Sequence, residues 1–364
     1  MHTTRRLLWP VLLALVTAAL LAGCAKRSQQ EAPATPGALT LTGAGATFPY
    51  PLYSKWFAEY EKVAPTVRIN YQSIGSGGGI QQLKAGTVDF GASDAPLSDE
   101  EMKAMPAPVV HIPTVAGAAV IACNLPGRAQ RLRLTPEAIA GIYLGEIKRW
   151  RDARITASNP GVKLPDLAIA VTHRSDGSGT TYIFTHYLAA VSKTWADRVG
   201  AGKSVDWPVG IGGKGNEGVT GVVKQTPGAI GYVELAYAMQ NKLAYAEVRN
   251  AAGKFIAPTV ASTTAAAAAA VGAMKKDVRV SIVNASTPTA YPIAGFTYLL
   301  VYREQKDRAK GEAIAKFLLW AVHDGQKYAP PLLYAPLPLG VVALDEAAIR
   351  SLTHGAKPLI AEGR

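Results

Sequence analysis

Residues able to carry chemistry are scarce in this chain of 364: two cysteines and six histidines, one of them at position 2. The histidines are scattered, no Cys/His set has metal-site spacing, and neither a metal nor a cofactor is expected. With Cys24 placed in an N-terminal leader, Cys123 stands alone and no intrachain disulfide is possible. Its setting, Val120-Ile121-Ala122-Cys123-Asn124, is that of a buried, inert thiol in an apolar strand. No enzyme motif is complete. Gly202-Lys203 and Gly213-Lys214 have Asp197 and Pro208 where a P-loop needs its first glycine. A serine elbow fails at Ser178, with Asp176 two residues before, and at Ser76, with Ile74 there. Gly210-Ile211-Gly212-Gly213-Lys214-Gly215 does match a dinucleotide fingerprint, with Glu234 downstream. It falls late in the chain and Glu234 follows a turn at Pro227-Gly228, so a glycine-rich loop near a cleft is the preferred reading. The net charge of +12 favours anionic partners, yet no dense basic run with interleaved aromatics exists, so nucleic acid is not expected.

One long apolar run is present, at the start. Arg5 and Arg6 precede Leu7 to Leu21, a stretch too short for a comfortable membrane span. It ends in Leu21-Ala22-Gly23-Cys24, which resembles the bacterial lipoprotein cleavage box; Cys24 is then the lipidated first residue of the mature chain. A polar, proline-containing tether follows, to residue 38.

Beyond it, strand and helix patterns alternate. Ala38 to Thr42 reads as a strand, Gly43 to Thr47 as a turn, and the next helix carries Leu52, Trp56, Phe57, Tyr60 and Val63 as its apolar stripe. Val67 to Tyr71 alternates as a strand, Gly75 to Gly79 leads into a short helix from Ile80, and Val88 to Ala92 is the next strand. The alternation predicts an α/β fold with a largely parallel sheet. Residues 112–122 and 290–302 are apolar strands placed to cross between two lobes. Residues 261–274, with six consecutive alanines, and 311–324 are predicted helices, the latter folding back on the first lobe.

Three Gly/Ser/Thr-rich loops each precede a helix: Gly43 to Phe48, Gly75 to Gly79 and Gly177 to Thr181. Helix starts leave N–H groups unpaired and carry a partial positive charge, so such loops hold anions. Arg174-Ser175-Asp176-Gly177-Ser178-Gly179-Thr180-Thr181 adds an arginine and hydroxyls, and reads either as an oxyanion cradle or as an ordinary capped helix. Three such loops in one chain suggest convergence on one anion.

Thr42-Gly43-Ala44-Gly45-Ala46-Thr47-Phe48-Pro49, Gly75-Ser76-Gly77-Gly78-Gly79, Asp89 to Ser98 and Asp176-Gly177-Ser178-Gly179-Thr180 together closely resemble the phosphate-binding component of phosphate-specific ABC transporters. The likeness covers about residues 39–345, including Ile142 to Trp150 and Pro227 to Glu234. It implies the two-lobed periplasmic-binding-protein (type II) fold, with the ligand in the cleft. The expected division is a signal peptide at 1–23, a tether at 24–38, lobe I at 39–115 and 291–364, and lobe II at 116–290. By the same resemblance, Thr47, Phe48, Ser76, Ser178, Gly179 and Thr180 donate to phosphate, Arg174 pairs with its charge, and Asp176 holds Arg174 in place. Three departures stand out: His173 where familiar members often have arginine, Gly77 in place of a serine, and the polyalanine segment.

The resemblance also implies that Asp94 faces the anion as an acceptor, which would suit a ligand that still has a proton to give, as monohydrogen phosphate has and sulfate has not. The resemblance implies a monomeric receptor without catalysis, held at the cell envelope by its lipid, in the periplasm or at the cell surface. Its partners would be inorganic phosphate and an ABC permease with its ATPase. A receptor for another oxyanion remains open, as does a phosphatase using Ser76 or Ser178.

Overall fold

An eleven-stranded mixed sheet forms the centre of the molecule, in the order β2-β1-β3-β11-β4-β8-β6-β7 along its main path. The strands on that path are β1 (Leu39–Gly45), β2 (Val67–Ser73), β3 (Phe90–Ser93), β4 (Val109–Cys123), β6 (Ala170–Arg174), β7 (Ile211–Gly213), β8 (Ala229–Glu234) and β11 (Ala294–Tyr302). Off it, β9 (Ala244–Arg249) pairs with β4, with β5 (Leu132–Leu134) and with β10 (Phe255–Ile256). The computed structural model describes residues 38–126 and 132–360. The expected leader, the tether to residue 37 and Cys24 lie outside the described residues, and those from Leu39 onward form one compact unit.

The sheet is mixed rather than largely parallel. β1 pairs with β2 and β3 in parallel, as does β6 with β7 and β8. Both apolar strands marked out in the sequence run antiparallel to each other, β11 against β4. Every residue of β4 is buried, which is why its run of Val, Ile and Ala does not alternate with polar positions. β4 serves both halves of the sheet: Val109 to Ala118 pair with β11, and Ala119 to Cys123 pair with β8. Cys123 ends this strand as a buried free thiol, pushed by burial up to about 12.

Local signals account for most helices. Tyr50–Val63 follows Pro49 and has a proline in its first turn, where a missing N–H costs nothing. Leu52, Tyr53, Trp56 and Tyr60 form its buried stripe, while Val63, at the last turn, is 61% exposed. The turn expected at Gly43 is instead the end of β1. Gly75 to Gly79 is largely the first turn of helix Ser76–Ala85, closed by Gly86 in the left-handed conformation. Helix Arg308–Val322 returns to the first half of the sheet, where Phe317 meets Phe57 at 5.6 Å and Tyr60 at 5.2 Å between ring centroids. Thr42 donates to Asp89 from both its N–H and its hydroxyl, fastening β1 to the turn before β3.

Candidate functional site

Thr47, Ser76, Asp94, Arg174, Ser178 and Thr180 are polar or charged, yet each is at most 3% exposed. Phe48 and Gly179 are buried beside them. They arrive from the C-terminal ends of parallel strands: Thr47 and Phe48 just after β1, Ser76 after β2, Asp94 after β3, and Arg174 at the end of β6. Direct contacts join the set. The Gly179 N–H donates to Ser76 Oγ at 3.0 Å, the Asp94 N–H reaches the same oxygen at 3.3 Å, and the Gly77 N–H donates to Gly177 O at 2.8 Å. A Cβ on Gly179 would lie 2.5 Å from Asp94 Cβ, Asp94 Oδ2 and Ser76 Oγ, so only glycine fits there.

The hydrogen bonding of three hydroxyls has one direction. Ser76 Oγ accepts the two N–H groups just named. Thr47 Oγ1 accepts from the Asn216 N–H at 3.1 Å and from Asn216 Nδ2 at 2.8 Å. Thr180 Oγ1 accepts from Arg174 Nη1 at 3.3 Å and from Asn216 Nδ2 at 3.2 Å. A hydroxyl has two lone pairs and one proton, so each of these three oxygens is left only its proton to offer. Among the described residues none of the three protons meets an acceptor. Two backbone donors of the same buried residues, the Phe48 and Thr180 N–H groups, likewise meet no acceptor among the described residues. Burying donors without acceptors is costly, and their grouping marks a place for an acceptor-rich ligand.

Arg174 supplies the positive charge. Its Nε and Nη2 donate to Asp176 at 2.8 and 2.5 Å, and its side chain is 1% exposed. Burial works against ionising Asp176, but the bonds and charge of Arg174 outweigh it, helped by the Gly215 N–H, and hold the carboxyl below the usual range. Asp94 is the exception among donors. Thr297 donates to its Oδ1 at 2.7 Å, which leaves Oδ2 toward Gly179 and Ser76. Burial pushes its carboxyl up to about 7, against the opposing effects of the Thr297 bond and the Arg174 charge.

Ser178 is placed differently from its neighbours. Its Oγ caps helix Gly179–Val191 by accepting from the Thr181 N–H, and its own N–H donates to Lys203 O at 2.9 Å. Only its hydroxyl proton is left for a ligand. His173 stacks on Trp207 with centroids 4.8 Å apart and bonds the Arg174 carbonyl, an aromatic packing role behind the site.

Sequence reasoning missed Asn216, Thr297 and Tyr334. Asn216 follows the Gly210–Gly215 stretch, whose Gly212 and Gly213 lie within β7 rather than in a strand-to-helix loop. Its signal was a polar residue at the start of a helix, the feature that marked the other three loops. Thr297 sits at a bulge: it pairs with Val115 while the next residue, Tyr298, pairs with Pro113, so Thr114 is the extra residue on β4. The Tyr334 hydroxyl donates to Phe48 O at 2.7 Å and lies 3.0 Å from Glu234 Oε2. Glu234, the acid of the apparent fingerprint, caps helix Leu235–Gln240, and burial raises its carboxyl well above the usual range. Among the described residues no group of three His, Cys, Asp or Glu could hold a metal, and no helix is long and apolar enough to cross a membrane.

A family model described as a PBP superfamily domain matches residues 30–324. The chain is 45% identical over 354 residues to the phosphate-binding protein PstS of Xylella fastidiosa, covering 92% of this chain and 96% of that one. It is 38% identical over 350 residues to the PstS of Methanocaldococcus jannaschii, covering 90% and 88%. The fold also matches the solved structure of a high-affinity periplasmic phosphate-binding protein, PfluDING, with a TM-score of 0.68 at 22% identity, over 85% of this chain and 93% of that one. The chain belongs to the PBP superfamily and, within it, to the PstS family of phosphate-binding proteins.

Proposed function

We propose that this chain binds inorganic phosphate between two lobes and hands it to an ABC importer, without chemistry of its own. The observation that carries the reading is the buried set of donors, from Thr47, Phe48, Ser76, Arg174 and Thr180, facing a single acceptor, Asp94. An ion with several bare oxygens and one remaining proton satisfies both. Monohydrogen phosphate is such an ion; sulfate lacks the proton and would leave two acceptors opposed in a dry site. The relatives' name, phosphate-binding protein PstS, supports the same ligand.

In this reading lobe I is residues 39–115 and 291–364 and lobe II is 116–290, with Ser178 and Gly179 completing the ligand shell and Asp176 holding Arg174. The Gly77–Gly177 and Ser76–Gly179 bonds and the Lys203–Glu101 ion pair at 2.7 Å are then contacts of the closed cleft. A phosphatase is disfavoured: Ser76 Oγ is taken by two N–H donors and Ser178 Oγ by a helix cap, and neither has a histidine or carboxylate base bonded to it. The receptor would be a monomer outside the cytoplasm, tethered by lipid on Cys24.

Calorimetric titration of the purified soluble domain, stripped of bound ion, tests the central point. Phosphate should saturate one site per chain and sulfate should bind more weakly by ~10⁴ or more. Equal affinity for the two ions, or no phosphate binding, would sink the reading. Arsenate, which also carries a proton, should compete with phosphate.

A further inference from the structure

Asn216 is fully buried in the first turn of helix Gly215–Gln225 and is bonded on every side. The Glu234 N–H donates to its Oδ1 at 2.8 Å. A backbone N–H can only donate, so the amide atom facing it must be the oxygen, and the NH₂ group must face the other way. There it meets Thr47 Oγ1 at 2.8 Å and Thr180 Oγ1 at 3.2 Å. With the Asn216 N–H also on Thr47 Oγ1 and Arg174 Nη1 also on Thr180 Oγ1, both hydroxyls have their lone pairs filled.

We infer that Asn216 is a positioning residue that sets the direction of the Thr47 and Thr180 hydroxyls, making them donors to the bound ion, and so takes part in selecting an oxyanion. The inference rests on the phosphate-binding reading above. Without the NH₂ group each hydroxyl regains a free lone pair and can rotate, so its proton is no longer committed to the ligand. Glu234 enters through its backbone alone, as the donor that orients the amide. One amide thereby links Thr47, which follows β1, to Thr180, which follows β6, a link that forms only when the two are brought together.

A double-mutant cycle separates this role from mere scaffolding. Phosphate affinity is measured by calorimetry for Asn216→Ala in the native background and in a Thr47→Val/Thr180→Val background. Loss of committed donors should weaken binding about tenfold in the native background. In the background without the two hydroxyls the same substitution should cost about twofold or less. An equal loss in both backgrounds would overturn the inference, because a purely structural role does not depend on the hydroxyls. Thermal melting of each ligand-free variant reports folding. If Asn216→Ala does not fold, Asn216→Ser, whose hydroxyl can still accept from the Glu234 N–H, carries the same cycle. Failure of the native protein to bind phosphate would instead overturn the underlying reading, whereas native binding with an uncoupled cycle would overturn the role of Asn216 alone.

Discussion

Thr297 Oγ1 donates to Asp94 Oδ1 at 2.7 Å, joining residues 203 apart in sequence, and so only one oxygen of the carboxylate is left for a ligand. The bulge that places Thr297 there also turns Thr114 to bond Tyr53 at 2.7 Å, so the acceptor is braced through the centre of the sheet.

Replacing Asp94 by asparagine keeps an acceptor for Thr297 and turns the amide NH₂ toward the ligand. Phosphate binding should weaken about tenfold to a hundredfold, the loss of one bond to a charged group. Sulfate binding should strengthen, because the new donor meets a bare oxygen. Competition calorimetry with both ions checks this; an unchanged preference removes Asp94 from the site.

Acidity should act through the same residue. Its carboxyl lies at about 7 in the folded protein against an ordinary value of 3.8. Between those values the folded chain holds a proton that the unfolded chain gives up, so this group's contribution to stability of the ligand-free protein falls as pH rises from about 4 through about 7. Glu234 acts in the same direction. Asp94→Asn should therefore raise the melting temperature more at pH 8 than at pH 5. Below about 7 the protonated Asp94 becomes a donor, and sulfate affinity should climb on acidification in the native protein but not in Asp94→Asn.

A methyl group on Gly179 is expected to hold the site open. Its Cβ would lie 2.5 Å from Asp94 and Ser76, and the strain of such overpacking, about 1–3 kcal/mol, corresponds to a loss of up to about a hundredfold in phosphate affinity. Because the crowding arises across the cleft, melting of the ligand-free protein should change little. Retained affinity would show that Gly179 does not approach Asp94 when ligand binds.

Arg174→Ala should abolish measurable phosphate binding and also destabilise the fold, since Asp176 loses its ion-pair partner in a mostly covered position. Adding Asp176→Asn should recover stability without recovering binding. Chemical denaturation and calorimetry on the single and double variants distinguish the two effects.

Local chemistry explains which parts of the site were legible beforehand. Thr47, Ser76, Ser178 and Thr180 lie in short Gly/Ser/Thr stretches where chain turning and helix capping leave a mark within a few residues. Arg174 and Asp176 stand two apart and meet through the same turn. Asn216 has the same helix-start signal but follows a glycine run that reads as a dinucleotide fingerprint, whereas Thr297 reaches the site through a strand register and Tyr334 through a turn far along the chain, which no local pattern records. Spacing places Val63 on the apolar stripe, yet the helix leaves the core after Tyr60 and Tyr53 joins the stripe instead. The two long apolar strands were visible, but their antiparallel pairing was not, since no hairpin joins them.

β11 lies between β3 and β4, and it is the last strand of the main sheet to be synthesised. Until residue 302 exists, β3 and β4 have no strand between them, and the bulge that supports Asp94 has no partner. The β3–β11 and β4–β11 pairings therefore close long loops, which should make assembly slow compared with a helical protein of equal size. A molecule built in this order cannot brace Asp94 through Thr297 before β11 has been made.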